Sequence, residues 1–122
     1  EHHIRLALKE EVEMIWMVGL RGDGDKGFYK TFADAPSEDA QRAKVIEDVI
    51  CRQVALLKRV TGQEQPLMRT VIYDEASDYM AAGLLHLPDL PNLIWNFSAA
   101  RHDHFPGPDL RRYRAPADRP LG

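Results

Sequence analysis

The sequence is short of cysteine, of excess positive charge and of long apolar runs, and each shortage excludes a class of protein. Cys51 is the one cysteine among 122 residues, which excludes an internal disulfide framework and a zinc site built from cysteines. With 16 basic and 19 acidic residues, the formal net charge is -3, so the chain lacks the basic surface through which proteins bind nucleic acid. No apolar run approaches the roughly 18 residues of a membrane span. We therefore expect neither a nucleic-acid partner nor a membrane partner.

The composition is that of a globular domain without a recognisable targeting segment. The chain is 44% hydrophobic and 29% charged, which is ordinary for a soluble protein. Residues 1–3 (EHH) are not the apolar start of a signal peptide. No methionine begins the chain, so we expect an upstream part, and no compartment is predicted.

The apolar pattern predicts helices and strands in alternation. Runs of strand length occur at residues 15–18 (IWMV), 67–73 (LMRTVIY) and 92–97 (NLIWNF). A helical segment is predicted before each of them, at residues 4–14, from Ser37 to the residue before Gly62, and at residues 74–82. The uninterrupted run at residues 15–18 favours a strand that is buried on both faces.

The second helix has the clearest boundaries. Ser37 can cap its start, acids follow in the first turn, and Gly62 supplies its end. Apolar positions recur at helical spacing from residue 45 to residue 60. Cys51 lies within or beside this apolar face, where we expect a small buried side chain. Asp74 is predicted to cap the third helix.

This alternation predicts an α/β fold of parallel βαβαβ units with right-handed crossovers. Half of a (β/α)8 barrel and a small doubly wound sheet both show this order of elements. We assign residues 1–97 to the βαβαβ portion. Residues 98–122, which are rich in proline and arginine, are assigned to a loop or tail.

The residues that follow each parallel strand share one edge of the sheet, where functional sites are built. That edge is predicted to collect residues 21–25 (RGDGD), then Asp74 and Glu75, then Asn96 and the residues after it. Two carboxylates there can act as acid and base across a glycosidic bond, and inversion requires about 6.5–9.5 Å between them. Arg21 is suited to clamp a substrate carboxylate through two parallel hydrogen bonds. The alternative is that the loop acids are merely solvated and that Glu75 only stabilises the helix dipole.

The same loop also matches a dinucleotide-binding fingerprint, which is the weaker interpretation. Gly22, Gly24 and Gly27 have the GxGxxG spacing after a predicted strand. The intervening Asp23 and Asp25 would repel a pyrophosphate, and no helix is predicted directly after the last glycine.

Metal binding has little support in the sequence. The loop lacks the turn glycine and the bidentate glutamate of a calcium site. Residues 102–104 (HDH) have neither HExxH-like spacing nor a cysteine partner. We expect no metal and no cofactor.

The strand and loop at residues 13–25 (EMIWMVGLRGDGD) resemble those of glycoside hydrolase family 115, the xylan α-(4-O-methyl)-glucuronidases. Further similar segments follow in the same order as in the family: residues 60–62 (VTG), 74–84 (DEASDYMAAGL), 87–88 (LP) and 93–95 (LIW). The resemblance covers about residues 4–97, which is most of the chain.

The resemblance implies that the chain is an internal part of a (β/α)8 barrel that removes glucuronic acid branches from xylan with inversion. It implies Glu75 as the acid that protonates the leaving group, Asp25 as the base or a substrate-positioning carboxylate, and Arg21 as the carboxylate clamp. Asp23 and Asn96 are expected to bind substrate. The expected partner is an acidic oligosaccharide or polysaccharide.

One segment departs from the family pattern. After the tryptophan the family usually has an acidic Asp-Asp-Asn-like stretch, whereas residues 96–98 here read NFS. Asparagine and serine can bind hydroxyl groups but cannot act as a base at neutral pH. The sequence therefore leaves open a non-catalytic carbohydrate- or anion-binding α/β domain.

Overall fold

The computed structural model describes residues 1–10, 13–24 and 26–97, except for the side chain of Phe97. These residues form a three-stranded sheet with helices. The elements in chain order are α1 (His2–Leu8), β1 (Trp16–Met17), a 3-10 turn (Phe28–Lys30), α2 (Asp39–Thr61), β2 (Met68–Ile72), α3 (Glu75–Ala81) and β3 (Leu93–Phe97). The predicted tail at residues 98–122, which includes the HDH segment, and the candidate site residue Asp25 lie outside the described residues.

The three strands are parallel and lie side by side in chain order, β1-β2-β3. Trp16 lies opposite Met68, and Met68 lies opposite Leu93. Helices α2 and α3 provide the two crossovers and contact each other. The predicted parallel α/β arrangement is confirmed. Because the order of the described strands never reverses, they do not contain the switch point that defines a doubly wound sheet.

Helix α2 covers the sheet with one apolar stripe. Its buried residues recur every three or four positions, as one face of a helix requires: they are Ala43, Ile46, Ile50, Val54 and Leu57. The helix ends where Gly62 adopts a left-handed conformation (φ 70°) and donates its N–H to the Lys58 carbonyl at 3.1 Å. This is the C-terminal stop that the sequence predicts.

Two predictions about α2 are wrong. The helix begins at Asp39, so that Glu38 rather than Ser37 occupies the capping position, and no side chain caps it. Cys51 is exposed, not buried. It follows the buried Ile50 by one residue, which turns it about 100° around the helix axis and away from the sheet.

The first strand is shorter than predicted and is buried on one face only. Trp16 and Val18 donate backbone hydrogen bonds to the Leu67 and Arg69 carbonyls at 2.9 and 3.0 Å. Val18 is buried, whereas Met17 is 57% exposed. The expectation of burial on both faces fails because both crossover helices pack in one core with Val18, on the same side of the sheet.

Among the described residues, no helix packs on the other side of the sheet, which we call the open face. It carries the side chains that alternate with the buried ones along the strands: Ile15, Met17, Leu67, Arg69, Val71, Ile94 and Asn96. The covered face carries the sheet side of the hydrophobic core, including Met68, Ile72, Leu93 and Trp95. No helix in the described part of the chain combines the length and apolar character that a membrane span requires.

Candidate active site

The candidate site lies at the carboxyl end of the sheet, where the chain leaves β1 and β2. A cleft of about 320 Å³ opens there. It is lined by Met17, Val18, Gly19, Leu20 and Arg21 from the first strand and its exit, and by Val71, Tyr73, Glu75 and Ala76 from the second strand and α3. Parallel strands bring these exits to one edge.

Arg21 and Glu75 form an ion pair in this cleft, although they are 54 positions apart in sequence. The Arg21 guanidinium donates a hydrogen bond from Nη1 to Oε2 of Glu75. Glu75 is only 4% exposed, whereas the Arg21 side chain is 28% exposed. The ring of Tyr73 lies 5.0 Å from the guanidinium carbon and adds a cation–π contact. The structure thus brings the predicted acid and the predicted clamp together.

Asp74 joins this pair from an unusual backbone conformation. Its φ of 50° and ψ of −119° lie where non-glycine residues are rare. Its Oδ2 lies 3.5 Å from Nη2 of Arg21. Asp74 does not cap α3 through its side chain, contrary to the prediction. Its carbonyl instead accepts a hydrogen bond from Ser77 Oγ at 2.7 Å, which holds the turn between β2 and α3.

Gln53 reaches the same edge from α2, and the sequence did not identify it. Its Oε1 accepts the N–H of Gly19 at 2.7 Å, and its Nε2 donates to the Gly19 carbonyl at 3.0 Å. Gly19 stands two residues before Arg21 and has φ 148°, which favours glycine. The sequence contains only one weak indication of this contact, which is that the amide side chain of Gln53 directly precedes Val54, a member of the apolar stripe.

The glycine-rich loop after β1 closes on itself rather than leading into a helix. Gly22 donates its N–H to the Lys26 carbonyl at 2.7 Å. A Cβ at Gly22 would stand 2.5 Å from Thr31 Oγ1 and 2.7 Å from the Gly27 carbonyl. The next α-helix begins only at Asp39. A pyrophosphate site requires a helix N-terminus directly after the loop, so this geometry disfavours dinucleotide binding.

Of the remaining candidate residues, neither Asp23 nor Asn96 lines the cleft. The Asp23 side chain is exposed and does not line the cleft, and its backbone N–H donates to Thr31 Oγ1 at 2.8 Å. Asn96 lies opposite Val71 in the sheet and is half-buried on the open face. Its Oδ1 is buried without a hydrogen-bond partner among the described residues. The position of Asp25 is not among those described.

Tyr79 lies one turn after Glu75 in α3 and belongs to the core. Burial raises the pKa of its phenol, an effect that a hydrogen bond with Arg42 opposes. The ring therefore stays neutral at physiological pH and contributes packing behind the site. Within residues 1–10, 13–24 and 26–97, no group of three or more His, Cys, Asp or Glu side chains is placed to hold a metal ion.

Comparison with known proteins places almost the whole chain in one family. The family model described as Glycosyl hydrolase family 115 matches residues 2–116. No significant match was found to a curated protein or to a solved structure.

Proposed function

The chain belongs to glycosyl hydrolase family 115, and from this premise we propose that it contributes the acid–base site of an inverting hydrolase that acts on glucuronic-acid-bearing polysaccharide such as glucuronoxylan. Membership of the family supports a glycoside hydrolase and a carbohydrate substrate. The observation that carries the finer proposal is the pairing of buried Glu75 with Arg21 inside the cleft.

In this proposal Arg21 recognises the feature that separates a uronic acid from a neutral sugar, its carboxylate. Planar guanidinium groups bind carboxylates through two parallel hydrogen bonds. In the structure Arg21 already holds two carboxylates, those of Asp74 and Glu75. A substrate carboxylate would take the place of Glu75 on the guanidinium, and Glu75 would then be released toward the glycosidic oxygen.

Glu75 acts in the proposal as the general acid. After the substrate carboxylate has replaced it on Arg21, Glu75 takes up a proton from water. It then gives this proton to the leaving oxygen of the xylan chain while a second water molecule attacks the anomeric carbon from the opposite side. Asp25 is proposed to accept the proton of that water or to position the sugar. Asp23 and Asn96 are proposed to bind substrate hydroxyl groups through their polar side chains.

The open face supports the further proposal that these strands form part of the wall of a (β/α)8 barrel. In such a barrel all helices lie outside, and the inner face of every strand is covered by the other strands. Both crossover helices pack in one core with the covered face of the sheet here. Met17, Leu67 and Val71 are 57%, 44% and 39% exposed on the other side, an apolar surface of the kind that a barrel interior would bury.

The substitution Glu75→Gln tests the proposed acid because it removes the proton donor while keeping size and shape. We expect kcat on an aldouronic xylo-oligosaccharide to fall about 10²- to 10⁴-fold, with a smaller loss on an aryl glucuronide whose leaving group needs no protonation. Proton NMR of the first-formed product should show the inverted anomer. Asp78→Asn is the matched control, because Asp78 lies on the same helix but is exposed.

Two results would contradict this assignment. Unchanged hydrolysis by the Glu75→Gln variant would remove Glu75 from the chemistry. An equal loss on both substrates, with an unchanged fold by circular dichroism, would show that Glu75 acts in some way other than protonating the leaving group.

A binding-only role is the second candidate, and residues 96–98 (NFS) favour it because they replace the acids that usually follow the tryptophan in the family. This role predicts saturable binding of the aldouronic oligosaccharide, measured by calorimetry, with no hydrolysis even at high protein concentration. Binding in that case should still require Arg21, because the carboxylate clamp does not depend on catalysis.

A further inference from the structure

The contact between Gln53 and Gly19 is the one polar link from α2 to the exit of β1 among the hydrogen bonds of the described residues. Both functional groups of the Gln53 amide are used: the oxygen accepts at 2.7 Å and the nitrogen donates at 3.0 Å. The two bonds reproduce the pattern by which a neighbouring strand would pair with Gly19. An amide side chain can do this because it carries a donor and an acceptor side by side.

Gln53 holds the backbone of Gly19, whose conformation the neighbouring residues in the sequence do not determine. Gly19 has φ 148°, and glycine is the residue with the widest choice of backbone conformations. Among the described residues, a Cβ at this position would meet Thr70 Oγ1 alone, at 3.5 Å, so crowding does not confine the chain there. The two hydrogen bonds from Gln53 therefore select one conformation among several that glycine can adopt.

That conformation sets the direction in which the chain carries Arg21 into the cleft. Arg21 follows Gly19 by two residues, and its guanidinium bonds to Glu75 and lies over Tyr73. A change in the dihedral angles of Gly19 would move Arg21 by ångströms, because every later atom turns with the backbone. Misplacement of a binding group by about 1 Å can cost 10²-fold in rate.

We propose that Gln53 is a positioning residue of the site, which holds Gly19 so that Arg21 meets Glu75 in the free protein and the carboxylate of the substrate when it is bound. This inference rests on the proposed function, because it assumes that Arg21 and Glu75 act on an acidic sugar. It assigns the role to a side chain that touches neither the substrate nor the reacting atoms.

The test is a double-mutant cycle between Gln53 and Arg21, read as kcat/KM on an aryl glucuronide. Gln53→Met keeps the length of the side chain and removes both hydrogen bonds. We expect it to lower kcat/KM about 10- to 100-fold in the wild-type background. We expect less than about a 3-fold further loss in the Arg21→Ala background, because a residue that acts through Arg21 loses its effect once Arg21 is gone.

A control separates positioning from general stability. Thr61→Val removes a hydrogen bond of 2.6 Å to the Leu57 carbonyl at the end of the same helix. It should lower the unfolding temperature to a degree comparable with Gln53→Met while leaving kcat/KM unchanged at temperatures well below the transition.

Should Arg21→Ala fail to fold, Arg21→Lys replaces it in the cycle, because lysine keeps the charge but lacks the guanidinium fork.

The outcomes distinguish failure of this inference from failure of the proposed function. If Glu75→Gln abolishes hydrolysis and Gln53→Met retains wild-type kcat/KM, the positioning role is wrong and the function stands. Equal losses from Gln53→Met in both backgrounds also overturn the positioning role, since independent effects multiply. If Glu75→Gln retains wild-type hydrolysis, the proposed function is wrong, and the positioning role that rests on it is wrong as well.

Discussion

At the scale of single residues, the arrangement around Arg21 combines charge pairing with backbone strain. Asp74 and Glu75 are consecutive, and both approach the same guanidinium. Consecutive residues of a regular strand point to opposite faces, so the chain must turn sharply between them. The positive φ of Asp74 provides this turn. Strain of this kind persists where the surrounding contacts enforce it, and it is common at functional sites.

Comparison of Asp74→Gly with Asp74→Ala isolates the cost of that strain. Both variants remove the carboxylate that faces Arg21, but only glycine adopts the Asp74 conformation freely. We expect the glycine variant to have a free energy of unfolding about 1–2 kcal/mol higher than the alanine variant, measured by urea denaturation. Both should bind glucuronate more weakly than wild type, because Asp74 no longer helps to hold Arg21 in place.

Equal stability of the two variants would show that Asp74 is not strained. Glucuronate binding at wild-type strength would show that the Asp74 contact does not help to place Arg21.

At the scale of secondary-structure elements, α2 performs two tasks with different parts of its surface. Its apolar stripe packs on the sheet and on α3, and Gln53 reaches past this stripe to the exit of β1. The length of the helix fits the crossover from β1 to β2, and Gly62 sets where it stops. Whether Gln53 lies level with Gly19 at the exit of β1 therefore depends on where α2 begins and ends.

The end of α2 can be tested through Gly62, whose φ of 70° is left-handed. Gly62→Ala should lower the free energy of unfolding by about 1 kcal/mol, because a Cβ is unfavourable in this conformation. Gly62→Asn should cost less, since asparagine tolerates left-handed geometry better than alanine. Chemical denaturation of the three proteins measures both differences. Nothing lies within 4 Å of a Cβ at Gly62, so a larger loss for asparagine would contradict this explanation.

At the scale of the whole molecule, the open face is the feature that the described residues do not account for. Within the described residues, three strands with helices on one side leave an apolar surface exposed and give the two outer strands no further partner strand. The proposed barrel would bury both, because closing a sheet removes its edges and fills its interior with side chains. The candidate cleft would then lie at the mouth of the barrel, where the carboxyl ends of its strands meet.

Two substitutions at matched exposure test whether the open face is covered in the full-length protein. Leu67 is 44% exposed on the open face, and Phe32 is 48% exposed in the loop before α2. If other strands cover the open face, Leu67→Asn should lower the free energy of unfolding by more than about 2 kcal/mol, since it buries an amide without partners. Phe32→Asn should cost less than about 1 kcal/mol.

The measurement is thermal or urea unfolding of the full-length protein. Similar small losses for the two variants would indicate that the open face remains in solvent, and the barrel proposal would then be wrong.

The sequence by itself determined the local features of this protein. The parallel α/β order, the end of α2 at Gly62, and the placement of Arg21 and Glu75 at the same edge of the sheet follow from short-range patterns and from the order of the strands. Strand and helix periodicities are properties of neighbouring residues. Parallel strands connected by right-handed crossovers then leave few ways to arrange the exits.

Only the tertiary structure decided which surfaces are covered and which side chains meet across elements. The sequence did not predict four of these features: the orientation of Cys51, the open face beside Met17, the strained turn at Asp74 and the contact from Gln53 to Gly19. Each depends on a partner distant in the chain. A periodic pattern shows that one face of an element is apolar, but the packing of whole elements decides what contacts that face. Likewise, the function of a polar side chain depends on which backbone groups it can reach in the folded structure.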